Sequence, residues 1–330
     1  MIKTKTKTKI VVLDGSTLAS DDNPWTALEA LGEVVIFDHT PPELIVERSR
    51  GAQALIINKV MLARQAIERL PDLRFIAVSA TGYNAVDVKA AGERGIPVAN
   101  VPVYGTDSVA QFAFAHLLNL CHKVGLHDRL VQEGEWACVP DFCFWRTPQI
   151  ELAGLTIGII GFGRIGRRVG EMAHAFGMKV IAYDECRGAD PAYQSFAWKE
   201  SMDELAAEAD VLTLHCPQTA ANKGFVNAAL LRRMKPGAFL INVARGGLVN
   251  EADLACALNE GWIAGASVDV VSEEPIRSGN PLLGAKNCVI TPHMAWASLA
   301  ARRRLMNVTI DNVAAFLKGR PQNIVNQILD

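Results

Sequence analysis

Three polar residues in the second half of the chain have the side chains of a catalytic set. Arg245 follows the apolar run FLINVA, Glu274 lies in VDVVSEEP and His293 lies in VITPHMAW. Each follows a predicted strand, and α/β sheets bind ligands at the carboxyl ends of their strands. A guanidinium binds a carboxylate bidentately, an imidazolium donates a proton to a carbonyl oxygen, and a nearby carboxylate stabilises and orients the imidazolium. Together the three residues suit hydride transfer to a 2-oxo acid.

Each of these residues also has an ordinary structural interpretation when it is taken alone. Arg245 is then a surface cation, Glu274 an acid at a helix end and His293 a hydrogen-bonded loop histidine. The catalytic hypothesis therefore depends on the three lying at one edge of one sheet. It also needs a coenzyme that carries the hydride, and the sequence provides a motif for one.

The motif for a coenzyme lies between residues 155 and 184. The apolar run from Leu155 to Ile160 predicts a buried strand, and Gly161, Gly163 and Gly166 follow it before a segment with helical spacing. The first glycine permits a tight turn, the second lets a pyrophosphate approach the backbone, and the third lets the helix pack closely on the strand. The free N–H groups and the positive dipole end of that helix then face the phosphates.

An acid follows the next predicted strand at the spacing that this motif requires. The strand covers Met178 to Tyr183, and Asp184 comes after it, about 20 residues beyond the glycines, where a carboxylate binds the ribose 2′-hydroxyl. A carboxylate there repels a 2′-phosphate, so the sequence favours NAD over NADP. Glycine turns without a ligand also exist, but here strand, turn, helix, second strand and acid occur in order.

The region before residue 103 predicts a separate parallel sheet covered by helices, because short apolar runs alternate with helical patterns. The predicted strands are Ile10–Leu13, Val34–Phe37, Ala54–Ile57, Arg74–Val78 and Val98–Asn100. The predicted helical segments are Trp25–Leu31, Pro42–Arg48, Arg64–Leu70 and Val86–Arg94. This region has no glycine fingerprint, so we do not expect it to hold the coenzyme.

The strand ends of this first region suggest a substrate site. Asn58 and Lys59 follow one predicted strand, and Thr81 and Gly82 follow the next. Substrates bind at this edge of a parallel sheet. The alternative is that these residues form ordinary turns in which polar side chains cap helices.

Beyond Asp184 the alternation of strands and helices continues, so that a second sheet of six strands is predicted. The four further strands are Val211–Leu214, Phe239–Asn242, Ala266–Val270 and Val289–Ile290, and the predicted helices include Met202–Ala207, Glu251–Leu258 and Leu299–Leu317. Gly319 to Pro321 are expected to end the last helix.

A strongly apolar helix, Ser108 to Leu120, precedes the coenzyme motif and is expected to be buried on most of its circumference. It leads into the irregular segment GEWACVPDFCFWRTPQIELAG, which contains four aromatic residues and two prolines. Exposed aromatics on a loop usually mark a contact surface, so we expect a subunit interface there. Packing within one subunit is the alternative.

The composition limits the partners of the protein. The chain has 330 residues, 50% of them hydrophobic, and a formal charge of −2, which gives no electrostatic footprint for nucleic acid. The apolar segment after the lysine-rich start, residues 1–9, is too short for a signal peptide, and no apolar run is long enough to span a membrane. We therefore expect a solvated N-terminal tail and a cytoplasmic protein.

The cysteines are expected to be reduced, because there are seven of them and no close CxxC pair. Their densest group with histidines is Cys121, His122, His127, Cys138 and Cys143. The spacings match no standard zinc pattern, and Cys121 lies in an apolar helical run where a thiol acts as a small hydrophobe. We therefore expect no metal.

Motifs along nearly the whole chain resemble the D-isomer-specific 2-hydroxyacid dehydrogenases. They are ATGYNAVDVKAAGERGIPVANVP, TDSVAQFAFAHLL, GIIGFGRIG, LHCPQT, MKPGAFLINVARGGLVNEADL, GASVDVVSEEP and TPHMAWAS. TGYN followed by TDSVAQ, and His293 followed by Ala295 and Trp296, look most like the branch of glycerate dehydrogenases, also known as hydroxypyruvate or glyoxylate reductases.

The resemblance implies a role for each matching residue. It assigns Arg245 to substrate binding and orientation, Glu274 to the partner of the histidine and His293 to the general acid and base; the acid directly before Pro275, and not Glu273, fits the family pattern. The coenzyme is NAD, and its implied contacts are Gly161, Gly163, Arg164, Ile165, Gly166, Asp184, Cys216, Pro217, Val243, Ala244, Arg245, Asp269 and Thr106. The implied substrate contacts are Asn58, Lys59, Thr81, Gly82, Arg245, His293 and Trp296.

The resemblance also implies an α/β architecture of two doubly wound parallel-sheet domains. A flavodoxin-like substrate domain covers residues 1–102 and 297–330, and a Rossmann NAD-binding domain covers 103–296, with hinges near Pro102–Thr106 and near Trp296 and the reaction in the cleft between the domains. The family is typically dimeric through the coenzyme domain. Two other functions stay open: a corepressor-like interaction protein of the same fold that senses the coenzyme, and NAD-dependent oxidation of phosphite or formate.

Overall fold

The computed structural model describes residues 7–328. Most of the predicted N-terminal tail, residues 1–6, lies outside the described residues, and Lys9 already begins the first strand. The strands are β1 Lys9–Val12, β2 Glu33–Ile36, β3 Ala54–Ile57, β4 Phe75–Val78, β5 Val98–Ala99, β6 Thr156–Ile160, β7 Lys179–Tyr183, β8 Phe196–Trp198, β9 Val211–Leu214, β10 Phe239–Asn242, β11 Gly265–Val268 and β12 Cys288–Ile290.

Eleven α-helices occur among the described residues. They are α1 Thr26–Glu29, α2 Ile45–Arg48, α3 Arg64–Glu68, α4 Val88–Glu93, α5 Thr106–His122, α6 Val124–Gln132, α7 Arg164–Ala175, α8 Met202–Glu208, α9 Ala228–Leu231, α10 Glu251–Asn259 and α11 Leu299–Leu317. Short 3₁₀ turns cover Gly15–Thr17, Pro42–Leu44, Glu135–Cys138 and Gly246–Leu248. Helix α6 has no counterpart among the predicted helices; Lys123, with a φ of +45°, separates it from α5.

The chain divides into two compact units, Met1–Gly105 with Ala297–Asp330 and Thr106–Trp296. The first unit contains a five-stranded parallel sheet in the order β2-β1-β3-β4-β5, which is the flavodoxin-like order. Strands β3 and β4 are buried on both faces, which explains their continuous apolar sequences. Helix α11 belongs to this unit and packs on β4, where the rings of Phe75 and Phe316 stack with centroids 4.6 Å apart.

The second unit contains a parallel sheet of seven strands in the order β12-β11-β10-β9-β6-β7-β8. If β6 is counted as strand 1 of this unit, the first six strands follow the dinucleotide-binding order 3-2-1-4-5-6. Strand β12 then adds a seventh. The predicted fold class is therefore confirmed, while the predicted count of six strands was wrong. The missed strand is β8, Phe196–Trp198, an edge strand of three partly exposed residues. It has no buried apolar run. Its Phe196 ring stacks on Phe162 instead, and its Trp198 ring contacts Phe162 edge-on.

Helices cover both faces of the second sheet and determine where its core lies. One apolar cluster joins β6, β7 and β10 to α5 and α7 and includes Phe114, Val169 and Ile241. The other cluster lies on the opposite face with α8, α9 and α10. Among residues 7–328 no helix combines the length and the apolarity that a membrane span requires.

Candidate functional site

The glycine-rich turn follows β6 and leads directly into α7. Gly161 has a φ of +91°, in the left-handed region, and a Cβ at this position would lie 2.6 Å from the carbonyl carbon of His215. A Cβ on Gly166 would collide with the carbonyl oxygen of Gly161. The first and third glycines are thus required by the close approach of backbone segments, as the sequence predicts.

The second glycine of the motif leaves an open space in front of the helix. Gly163 is the N-cap residue of α7, it is exposed, and a Cβ built on it would meet no atom within 4 Å. Arg164 and Ile165 begin the helix, Arg164 exposed and Ile165 half-buried. The first N–H groups of a helix have no acceptor within the helix, so the start of α7, beside this open space, suits an anion. The residues present therefore fit the pyrophosphate of a dinucleotide.

Asp184 lies directly after β7 and connects the end of this strand to the glycine turn. Its Oδ2 atom accepts a hydrogen bond of 2.7 Å from the Phe162 N–H, and its Oδ1 atom accepts one of 2.9 Å from the Cys186 N–H. The N–H of Gly161 donates to the carbonyl oxygen of Tyr183 at 2.9 Å. Asp184, which is predicted to bind the ribose, is thus held at the turn by two backbone donors and is half-buried.

Most other predicted coenzyme contacts follow the carboxyl ends of neighbouring strands in the second unit. Cys216 and Pro217 follow β9, and burial raises the pKa of the Cys216 thiol to about 11. Val243 and Ala244 follow β10, and their segment is fixed by the Asn242 side chain, which accepts from the Ala244 N–H at 3.0 Å. Thr106 is the first residue of α5.

Asp269, predicted to contact the coenzyme, has both carboxylate oxygens engaged within the protein. It follows β11 and is 1% exposed. Its Oδ1 atom accepts from the Thr291 hydroxyl at 2.6 Å and from the Met294 N–H at 2.9 Å, and its Oδ2 atom accepts from the Ala295 N–H at 2.8 Å. The carboxylate therefore anchors the loop after β12, which also carries His293.

His293 and Glu274 form a hydrogen-bonded pair. The Nδ1 atom of His293 lies 2.7 Å from the Oε2 atom of Glu274, and the two side chains are 29% and 36% exposed. The other oxygen of Glu274 accepts from the Val271 N–H at 3.3 Å. His293 has a φ of +52°, its N–H donates to the Asp269 carbonyl at 2.7 Å, and its carbonyl accepts from the Trp296 indole N–H at 3.0 Å.

Arg245 follows β10 and is exposed. Its Nη1 atom donates to the carbonyl oxygen of Ala244 at 2.7 Å, and its own carbonyl accepts from the Asn242 side chain at 2.9 Å. A Cβ on the next residue, Gly246, would collide with the backbone carbonyl of Val271. The loop that carries Arg245 therefore packs directly on the loop that leads to Glu274.

The first unit brings the predicted substrate residues to one edge of its sheet. Asn58 and Lys59 follow β3, Thr81 and Gly82 follow β4, and these strands are adjacent and parallel. The Lys59 side chain, Thr81 and Gly82 are exposed, whereas Asn58 is buried and its side chain donates to the Ser79 carbonyl at 3.0 Å.

Asp14 was missed by the sequence analysis. This buried acid follows β1, and its carboxylate accepts from the N–H groups of Asn58, Lys59 and Val60 at 2.6 to 3.0 Å. It therefore fixes the backbone of the predicted substrate loop. An acid directly after an apolar strand was the available signal.

The cysteines and the histidines near them show no arrangement for a metal. All seven cysteines are free thiols, and burial raises the pKa of Cys121 to about 11. Within the described part of the chain no three His, Cys, Asp or Glu side chains are grouped so as to hold an ion.

Residues 114–295 match the sequence model described as "D-isomer specific 2-hydroxyacid dehydrogenase, NAD binding domain". The chain belongs to this family. A hydroxypyruvate reductase of Blautia hydrogenotrophica is 49% identical over 322 residues, which cover 97% of the chain and 100% of that relative. A glycerate dehydrogenase of Methylorubrum extorquens is 41% identical over 286 residues, 86% of the chain and 88% of the relative.

Solved structures of similar proteins confirm the architecture of this 2-hydroxyacid dehydrogenase. A protein from Thermus thermophilus has a TM-score of 0.85 at 34% identity, with 96% of the chain and 100% of that structure covered. A glyoxylate/hydroxypyruvate reductase from Sinorhizobium meliloti, described as NADPH-dependent, has a TM-score of 0.81 at 30% identity, with 97% of each chain covered. The predicted family, fold class and oxidoreductase activity are thereby confirmed.

Proposed function

We propose that this dehydrogenase uses NADH to reduce a small 2-oxo acid, hydroxypyruvate or glyoxylate, to the D-2-hydroxy acid. The observation that carries the proposal is the hydrogen bond of 2.7 Å between His293 and Glu274 at the carboxyl edge of the second sheet. A carboxylate in this position stabilises the imidazolium, so that the ring can donate a proton. The names of the two relatives, hydroxypyruvate reductase and glycerate dehydrogenase, support this choice of substrates.

In this proposal each catalytic side chain performs one step. Arg245 binds the substrate carboxylate through its exposed guanidinium and thereby orients the 2-oxo group. His293 donates a proton from Nε2 to the carbonyl oxygen, since its Nδ1 atom faces Glu274. Bound NADH would supply the hydride. In the oxidative direction His293 accepts the proton from the hydroxyl group.

Substrate binding also involves the first unit, which we propose as the substrate domain, with the second unit as the NAD-binding domain. Lys59 offers an exposed ammonium group, and Thr81 and Gly82 offer polar backbone at the same sheet edge. Asn58 contributes by shaping this loop through its bond to Ser79. Trp296, bonded to the His293 carbonyl, borders the substrate.

Coenzyme binding rests on the glycine turn and on the strand ends of the second unit. Gly161, Gly163 and Gly166 make room for the pyrophosphate at the start of α7. The other proposed contacts are Arg164, Ile165, Asp184, Cys216, Pro217, Val243, Ala244, Arg245, Asp269 and Thr106. In this proposal Asp269 contributes mainly by holding the loop of His293, because it is 1% exposed and accepts hydrogen bonds from that loop.

The preference for NADH over NADPH is supported by the carboxylate of Asp184 at the end of β7. A 2′-phosphate would meet a negative charge there, whereas a ribose hydroxyl could donate to it. The relative from Sinorhizobium meliloti, at 30% identity, is described as NADPH-dependent. The ratio of kcat/KM with NADH to kcat/KM with NADPH tests the preference proposed for this protein.

We also propose a homodimer, located in the cytoplasm, that forms through the second unit. Apolar side chains on α6 and on the segment 134–154, the aromatic loop, are strongly exposed. They are Val124 at 70%, Trp136 at 50%, Phe142 at 89% and Trp145 at 65%. Such a group of exposed apolar residues is typical of protein interfaces. Four of the seven free cysteines are exposed, which suits a reducing compartment. The net charge of −2 favours neither nucleic acid nor an anionic membrane.

A steady-state screen of NADH oxidation tests the proposed function. The substrates are glyoxylate, hydroxypyruvate, pyruvate and phenylpyruvate, and the His293→Gln variant serves as the control for each. We expect reduction of hydroxypyruvate or glyoxylate that the variant lacks. Binding of NADH without reduction of any 2-oxo acid would favour the corepressor-like alternative. Reduction of NAD with phosphite or formate would favour the second alternative.

A further inference from the structure

A buried histidine of the second unit has no role in the proposed chemistry. His116 lies in the middle of α5 and is 4% exposed. Its Nδ1 atom contacts the hydroxyl group of Ser267 on β11, and its Nε2 atom lies 3.0 Å from the hydroxyl oxygen of Thr291, directly after β12. The ring therefore connects a helix on one face of the sheet to two strand segments that lead to the site.

The hydrogen bonds around His116 form a chain in which each group donates to the next, from Ser267 through His116 and Thr291 to Asp269. Thr291 has a single hydroxyl proton, which it donates to Asp269 Oδ1 at 2.6 Å, so its oxygen must accept from the Nε2–H of His116. The Nδ1 atom then accepts from the Ser267 hydroxyl. This assignment requires a neutral ring, and burial lowers the pKa of His116, which favours that form.

The chain of hydrogen bonds ends at the backbone around His293. The carboxylate of Asp269 accepts from the N–H groups of Met294 and Ala295, and its main-chain carbonyl accepts from the N–H of His293. His293 has a φ of +52°, a conformation that a non-glycine residue keeps only when the surrounding contacts hold it. Consecutive hydrogen bonds also polarise and strengthen one another.

We propose that His116 is a positioning residue for His293. By donating to Thr291, it directs the Thr291 hydroxyl at Asp269 and so fixes the carboxylate that holds the backbone of residues 293–295. The inference rests on the proposed function, in which His293 donates the proton. The alternative is that His116 only fills space beside Phe112, with which it packs at a centroid distance of 4.8 Å.

Three substitutions of His116 separate positioning from packing. Glutamine places an N–H near the position of Nε2 and retains the bond to Thr291, whereas asparagine reaches only towards Ser267 and leucine keeps neither bond. We expect His116→Gln to retain kcat within about threefold and His116→Asn and His116→Leu to lower kcat by about tenfold or more, the size of effect seen when residues behind a site are altered. The KM for NADH should rise in the same order of variants, because Asp269 is also a proposed coenzyme contact.

A matched control lies on the same helix. Phe114→Leu removes buried apolar volume from the same core, at a residue that stacks on Phe176 and has no part in the chain of hydrogen bonds. It should lower the melting temperature and leave kcat unchanged. If His116→Leu behaves in the same way as this control, or if asparagine and glutamine have equal effects on kcat, His116 is a packing residue and the proposal is wrong.

Hydrogen exchange makes the test independent of activity. The peptide that contains residues 291–298 should exchange faster in His116→Asn and His116→Leu than in the parent protein and in Phe114→Leu. If the parent reduces no 2-oxo acid, the proposed function fails, but this comparison still shows whether His116 holds the loop. Unchanged exchange in all three variants of His116 would overturn the inference even where the parent is an active reductase.

Discussion

The imidazole Nδ1 atom of His293 lies 2.7 Å from a carboxylate oxygen of Glu274, 19 residues earlier in the chain. The two residues follow adjacent parallel strands, β11 and β12, in which Val268 lies opposite Ile290. Parallel strands end at the same edge of a sheet, so the topology brings together two loops that the sequence separates. The pair leaves Nε2 as the ring nitrogen available to a substrate.

Removal of the imidazole should abolish most of the activity and retain coenzyme binding. We expect His293→Gln to lower kcat about 10²- to 10⁴-fold, the usual effect of a lost general acid. The Kd for NADH, measured by quenching of tryptophan fluorescence, should stay close to that of the parent, because the glycine turn lies elsewhere. A variant that retains its full kcat would remove His293 from the proposed role.

Neutralisation of the partner should lower kcat for reduction. In Glu274→Gln the imidazole of His293 loses the carboxylate that accepts from Nδ1 and orients the ring. We expect kcat to fall, but by less than in His293→Gln, because the imidazole itself remains. Circular dichroism provides the control for folding. An unchanged kcat in a folded variant would contradict the proposed role of Glu274.

The sequence predicts the sheet strands well where they are buried on both faces. The predicted bounds of β3, β9 and β10 are those of the structure, since continuous apolar runs leave little ambiguity. Strand β8 has only three residues at the sheet edge, and it is identified by its pairing with β7, which no local pattern reveals. Long-range pairing of this kind explains what the sequence analysis missed.

The same limit applies to the residues behind the site. His293, Glu274 and Arg245 are predicted from the sequence because they follow strands. Asp14 also follows a strand, but its partners are backbone N–H groups more than 40 positions away along the chain. His116 lies within a helix, and its partners are hydroxyl groups more than 150 positions away. Local spacing contains no information on such contacts.

The coenzyme preference should depend on one carboxylate. In the parent, kcat/KM should be higher with NADH than with NADPH, and Asp184→Ala should narrow this difference because the repulsion of the 2′-phosphate is lost. The same substitution frees the Phe162 N–H in the glycine turn, so the KM for NADH should also rise. Equal kcat/KM for both coenzymes in the parent would refute this prediction.

Acid should destabilise the protein through the buried histidine His116. Burial lowers the folded-state pKa of His116 below its usual value of 6.5, so the unfolded chain takes up a proton that the folded chain does not. Stability from this residue is therefore present at high pH and decreases as pH falls below about 6.5, by at most about 1.4 kcal/mol per pH unit. Burial also lowers the pKa of the half-buried residue His215, to about 3.

The test is urea unfolding at pH 7.5 and pH 5.5. In the parent, the urea concentration at the unfolding midpoint should be lower at pH 5.5 than at pH 7.5. The decrease should be smaller in His116→Gln, because glutamine cannot take up the proton. Phe114→Leu, with its histidine intact, should show the same pH dependence as the parent. If the glutamine variant is as sensitive to pH as the parent, the ring of His116 does not contribute to this dependence.

The aromatic loop after α6 carries a tryptophan that we expect to limit substrate size. Arg146 bonds to the carboxylate of Glu135 at 2.9 Å, and the Trp136 indole N–H donates to the Phe142 carbonyl at 3.1 Å, so the loop is held in shape. Trp145 nevertheless remains 65% exposed. In the proposed homodimer this ring could reach the site of the partner subunit.

If Trp145 lies beside the partner's substrate, little room remains beyond C3 of a 2-oxo acid. Hydroxypyruvate and glyoxylate should then be reduced with a higher kcat/KM than phenylpyruvate or branched-chain 2-oxo acids, and Trp145→Ala should relax this order. The alternative is that Trp145 only packs in the interface, since interface cores are enriched in tryptophan with or without a site nearby. Sedimentation distinguishes the two: a Trp145→Ala variant that remains dimeric and keeps the same ranking of substrates would leave Trp145 with a structural role alone.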